Sequence, residues 1–113
     1  MFGPRKMTLS DLQKLVSQGE SSTIEFKKST AQLSASFETL CGFLNEKGGT
    51  VLIGVTDKGK IIGQDISDKT QKDIANEISK LEPSAFVDVE YISLNENSPL
   101  KIIGVKNVKN DQI

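Results

Sequence analysis

The chain contains no histidine, which removes every Ser-His or Cys-His nucleophile pair and every zinc site that needs imidazole. Its one cysteine, Cys41, rules out a disulfide within the chain and, without histidine, a structural zinc site too. Cys41 falls in an apolar helical pattern and reads as a buried small hydrophobe, which fits a reducing, cytoplasmic location. Aromatics are scarce, Tyr91 and five phenylalanines, so stacking on single-stranded bases has little to work with. Long apolar runs are missing as well. None exceeds three residues, as in Val51-Leu52-Ile53, which is far short of a membrane span, and the first six residues, Met1-Phe2-Gly3-Pro4-Arg5-Lys6, have no apolar signal region. Nor is there an excess of one charge. With 14 basic and 15 acidic side chains the formal net charge is -1, so a polyanion would have to be held by a local patch.

What is present is the composition of one soluble globular domain: 113 residues, 36% hydrophobic, 26% charged and three prolines. Thr8-Leu9-Ser10-Asp11 has capping-box character, and Leu9, Leu12, Leu15 and Val16 follow at helical spacing until Gly19. Thr23 to Lys27 alternates, Ile24 and Phe26 on one side and Thr23, Glu25 and Lys27 on the other, as in a half-buried strand. Leu33, Phe37, Leu40, Cys41 and Leu44 form one stripe of a helix from about Gln32 to Glu46, with Gly48-Gly49 ending it. Thr50 to Val55 reads as a central strand, and a turn at Asp57-Lys58-Gly59 leads into Lys60-Ile61-Ile62-Gly63 as a hairpin partner. Ser67 or Asp68 caps a third helix with Ile74, Ile78 and Leu81 on its buried stripe, stopped by Pro83. Val87 to Tyr91 and Leu100 to Val105 then read as two antiparallel edge-type strands. The expected fold is α+β, a two-layer α/β sandwich. Its mixed sheet has about five strands and its three helices lie mainly on one face, in the order α-β-α-β-β-α-β-β. Asn107 to Ile113 is polar and has no closing element, so residues 1–113 are expected to be one domain at the N-terminus of a longer protein.

Three spaced motifs stand out: Glu20-Ser21-x-x-x-Glu25-Phe26-Lys27, Phe43-x-Asn45-x-x-Gly48-Gly49, and Ile53-Gly54-Val55-x-Asp57-x-Gly59-x-x-x-Gly63. Their order and spacing resemble the Schlafen/AlbA-type (Alba-like) DNA-binding domain found in bacterial transcriptional regulators and ATP-dependent DNA helicase-related proteins. The resemblance spans about Leu9 to Val105. It departs from the family at Cys41-Gly42-Phe43-Leu44-Asn45, where an Ala-Phe-Ala-Asn sequence is more usual, and it lacks the segment that usually follows the last strand. It implies an Alba-like fold, DNA or RNA as partner and further domains elsewhere in the protein.

Schlafen-like relatives also include metal-dependent ribonucleases, and motif matching places their three acidic positions on Glu20, Glu25 and Asp57. Such carboxylates could share one Mg²⁺ or Mn²⁺ ion and orient a nucleophile against phosphate. The competing account makes Glu20 a loop hydrogen-bond acceptor, pairs Glu25 with Lys27 or Lys28, and treats Asp57 as the start of an Asp-x-Gly turn. Lys27, Lys28, Lys58 and Lys60 could form a basic edge that contacts phosphates without reading bases, or a solvated surface. Gly48-Gly49 follows a helix rather than preceding one, so it reads with Gly59 as a structural turn and not as a phosphate loop. Asn45 is read as a helix-end residue bonding the loop in preference to a ligand contact. The leading expectation is a nucleic-acid-binding module. The alternatives are a divalent-metal nuclease and a protein-interaction or homo-oligomerisation domain that uses Leu100 to Val105 as an edge strand.

Overall fold

A computed structural model describes residues 7–44, 49–80 and 87–107. Asn45, Gly48, Leu81 and Pro83 lie outside the described residues, as do the side chains of Cys41 and Phe43. Helix α1 (Leu9–Gln18) starts where the sequence predicts. The Thr8 hydroxyl accepts from the Asp11 N–H and the Asp11 carboxylate accepts from the Thr8 N–H, both at 3.1 Å, which satisfies two otherwise orphan amides. Gly19 ends the helix at φ +80° and returns its N–H to Val16.

Strand β1 (Ile24–Lys27) follows, then a single 3₁₀ turn (Thr30–Gln32) leading into α2 (Leu33–Leu44). Strand β2 (Gly49–Ile53) comes next, with Gly49 as its first residue rather than part of a turn. Helix α3 (Asp68–Ser79) is capped by Ser67, whose side chain accepts from the Thr70 N–H. Strands β3 (Val87–Ser93) and β4 (Lys101–Asn107) complete the sheet.

The fold is α+β, and among the described residues it has three α-helices and a four-stranded mixed sheet in the order β1-β2-β4-β3. The pair β1/β2 is parallel, with Phe26 opposite Leu52, while β2/β4 and β4/β3 are antiparallel. Three expectations need correction. The expected fifth strand at Lys60–Gly63 does not form: Ile61 makes an isolated bridge to Val55, and Gln64 makes another to Lys101. The cause is Gly54, whose φ of +107° turns the chain out of β2. Ile62 and Gly63 then both donate to the Gly54 carbonyl at 2.9 Å, so no ladder can continue.

The second correction concerns layers. Helix α1 covers one face of the sheet, burying Leu12 and Val16 with Ile24, Phe26, Leu52, Val55, Ile92 and Ile102. Helices α2 and α3 cover the other, burying Phe37 and Ile74 with Val51, Ile53, Ile103 and Val105. Both faces are thus closed, and the fold has three layers where two were expected. The apolar run Val51-Leu52-Ile53 is the local signature of such a strand, since alternate side chains enter different cores.

The third correction removes the expected edge. Strand β4 lies between β2 and β3, so Leu100 to Val105 offers no free pairing backbone; β1 and β3 are the outer strands. Among the described residues no helix is long and apolar enough to cross a membrane.

Candidate functional site

The carboxyl ends of parallel neighbours lie at the same end of a sheet, and in α/β folds ligands bind in the crevice outside those ends. Here β1 delivers Lys28 to that end, and β2 delivers the loop that follows Gly54. Lys28, Thr56, Asp57, Lys58 and Lys60 line one open cavity of about 540 Å³. Three lysines and one aspartate are thus among its lining, and none of these four charged side chains has an ion-pair or hydrogen-bond partner among the described residues.

The loop carrying most of these groups is held from within. Thr56 N–H donates to the Lys60 carbonyl at 2.9 Å, Lys60 N–H donates to the Thr56 hydroxyl at 3.0 Å, and Gly59 N–H donates to the Thr56 carbonyl at 2.9 Å. Gly59 sits at φ +85°, and a methyl group added there would meet Val16 Cγ1 at 3.5 Å and Phe26 Cε2 at 4.0 Å. The loop tip therefore rests on the end of α1 and on the core side chain of β1. At its base the Lys27 carbonyl accepts from Gly54 N–H at 2.7 Å and from Val55 N–H at 3.1 Å, tying the loop to the strand that leads to Lys28.

Of the four lysines expected to form a basic edge, three line this groove and Lys27 does not. Strand alternation puts Lys27 and Glu25 on the α2/α3 face, opposite Phe26. The Lys27 Nζ lies 3.4 Å from the Glu25 carboxylate, and its side chain is only 15% exposed.

The three acidic positions are held in separate settings. The Glu20 carboxylate accepts from the Phe26 N–H at 2.9 Å, and Ser21 N–H donates to the Ile24 carbonyl at 2.9 Å. Residues 20–21 thus cover the outer backbone of β1, an edge that would otherwise offer unpaired groups. Glu25 is paired with Lys27, and Asp57 lies exposed at the groove. Among the described residues no group of three carboxylate, thiol or imidazole side chains is placed to hold a metal ion. A Mg²⁺ or Mn²⁺ site shared by Glu20, Glu25 and Asp57 does not fit this arrangement, because one carboxylate is turned to a backbone amide and another to an ammonium group.

The structural role of Glu20 is open to direct test. Glu20→Ala is expected to cost about 1 kcal/mol, the scale of one partly exposed hydrogen bond, while Glu20→Gln keeps an acceptor and retains most of the stability. Urea unfolding of both variants distinguishes the cases, and equal stability of all three proteins would show that the strand edge does not need the side chain.

Two contributors carried no motif signal. Thr56 supplies the hydroxyl that closes the loop, and the only hint was a threonine at the first position of a turn. Gln64 bonds to Thr30 across 34 residues, a pairing that no local pattern encodes. Tyr91, the one tyrosine, is packed against the α2/α3 core on β3, where burial raises its hydroxyl pKa. Among the described residues no aromatic side chain lines the groove.

The family model described as Schlafen, AlbA_2 matches residues 20–112, which takes in all four strands, the groove and the helices α2 and α3. With its three motifs inside a match that covers most of its length, the chain belongs to the Schlafen/AlbA-type domain family.

Proposed function

We propose that the groove between Lys28 and the Thr56–Lys60 loop binds the sugar-phosphate backbone of DNA or RNA without reading base sequence. One observation carries this reading: lysines from two segments about thirty residues apart line one open groove, and their ammonium groups have no ion-pair partner among the described residues. Lysine is a point-charge phosphate binder, and backbone contacts of this kind fix position rather than sequence. The described lining, three lysines with a threonine and an aspartate, suits phosphate contact better than base stacking. In a transcriptional regulator or helicase-related protein, such a groove would supply sequence-independent hold while other domains provide selectivity or motor activity.

Each lysine that neutralises a phosphate contributes roughly 0.7 (single strand) to 0.9 (duplex) to the slope of log K against log salt. Three such contacts amount to about a 20- to 40-fold loss of affinity between 50 and 200 mM salt. The expected result is salt-dependent binding of fluorescent oligonucleotides, with the slope reduced by about 2 to 3 in the triple variant Lys28→Ala, Lys58→Ala, Lys60→Ala. Anisotropy titration at several salt concentrations measures it. A triple variant with the wild-type slope would remove this groove from the reading.

A further inference from the structure

The two walls of the groove come from separate segments, and one side chain ties them together. The Gln64 Oε1 accepts from the Thr30 N–H at 2.7 Å, while its Nε2 donates to the Thr30 hydroxyl at 3.3 Å and to the Asp65 carbonyl at 3.1 Å. Its backbone is clamped as well, donating to the Lys101 carbonyl and accepting from the Lys101 N–H, both at 2.9 Å. Gln64 is thereby anchored to the central strand β4, and its side chain reaches the turn two residues beyond Lys28. On its other side the chain runs through Gly63, whose N–H is bonded to Gly54, into the loop that carries Lys58 and Lys60.

We propose that Gln64 is a positioning residue of the groove: it sets the Lys28 wall against the Lys58/Lys60 wall, and so sets phosphate affinity without touching phosphate. The inference rests on the reading of the groove as a phosphate site. Its physical basis is preorganisation. Binding to separated walls must first order the Ser29–Thr30 turn, and that ordering is subtracted from the affinity. The Thr30 N–H belongs to the first turn of a helix, where no intrahelical acceptor exists, so Gln64 supplies the acceptor that backbone geometry leaves missing. Ser29 makes a second tie, accepting from the Ala31 N–H at 3.2 Å, but this bond lies within the turn and cannot fix the turn relative to the opposite wall.

The test uses Gln64→Met, close in volume but without either hydrogen bond, and Gln64→Glu, which keeps the acceptor for the Thr30 N–H. Two readouts are taken on the full chain: anisotropy titrations of a labelled oligothymidylate at several salt concentrations, and amide hydrogen exchange at Thr30. Gln64→Met is expected to weaken binding roughly fivefold, the size of one net hydrogen bond, with the salt slope unchanged because every lysine remains. Thr30 exchange should accelerate in Gln64→Met and return towards the wild-type rate in Gln64→Glu. Wild-type affinity in a folded Gln64→Met variant, beside a reduced slope in the triple lysine variant, would overturn this role and leave the phosphate reading standing. A reduced slope in Gln64→Met would also overturn it, since the side chain would then govern which lysines engage. Absence of salt-dependent binding in the wild-type chain would overturn both.

Discussion

Gly54→Ala is expected to lose about 2–4 kcal/mol of stability and, with it, binding in the groove. At φ +107° an L-residue carries backbone strain of about 1–3 kcal/mol before any contact is considered. The added methyl group would then lie 2.9 Å from Ile102 Cδ1 and 3.1 and 3.3 Å from the Cα and carbonyl carbon of Gly63. The isoleucine methyl can move, but the Gly63 backbone is held by its own bond to the Gly54 carbonyl, so the relief must come from the loop. Such overpacking costs roughly a further 1–3 kcal/mol, offset in part by relaxation. Since a domain of this size is stable by only about 5–15 kcal/mol, the melting temperature should fall by roughly 10 °C. Calorimetry measures the loss, and a shift below about 2 °C would mean that the loop adapts freely. Gly63→Ala meets a similar limit against other neighbours, with Leu94 Cδ1 at 2.9 Å, Leu100 Cβ at 3.0 Å and φ +75°. Because the Gly54 methyl group would press on the Gly63 backbone itself, the two substitutions should not add.

Phe26→Ala is expected to have the larger effect on stability, about 3–5 kcal/mol, the range for an aromatic side chain deleted from a packed interior. Phe26 is 2% exposed and joins α1 to the sheet through Leu12, Val16, Leu52 and Val55. It also lies under Gly59, so the cavity would open beneath the loop that carries Lys58 and Lys60. The melting temperature should drop by roughly 10–20 °C, and the folded fraction should bind oligonucleotide more weakly than the wild type. Chemical unfolding followed by circular dichroism tests the first part. A cost below about 1.5 kcal/mol would show that α1 and the loop collapse onto the vacated space.

Much of the fold was legible because its signals are local. The capping box at Thr8 and Asp11, the stop at Gly19, the Ser67 cap and the alternation from Ile24 to Lys27 each depend on residues within a few positions of one another. The Lys60–Gly63 segment misled because β-branched residues after an Asp-x-Gly turn have the local pattern of a hairpin. What defeats the hairpin is Gly54, whose conformation appears only in three dimensions. Strand β4 misled in a similar way. Its residues alternate no more than those of an outer strand, since Gly104 occupies a position facing the α1 core where a larger side chain would have marked the strand as central.

The candidate site divides along the same line. Motif spacing pointed to Glu20, Glu25 and Asp57 as a set and to Lys27 with Lys28 as neighbours in function. Strand alternation was enough to separate Lys27 from Phe26, but it could not show that Glu25 is the partner of Lys27 or that the Glu20 carboxylate turns to the Phe26 amide.

Residue pattern alone gave the α+β class, the starts of the three helices and the resemblance to the family, and the lack of histidine excluded whole chemistries. Tertiary packing decided which side chains lie side by side. Parallel pairing of β1 with β2 carries Lys28 to the Lys58 and Lys60 loop, and Gln64 reaches Thr30, because contacts between distant segments depend on the packed sheet and leave no periodic trace in the chain.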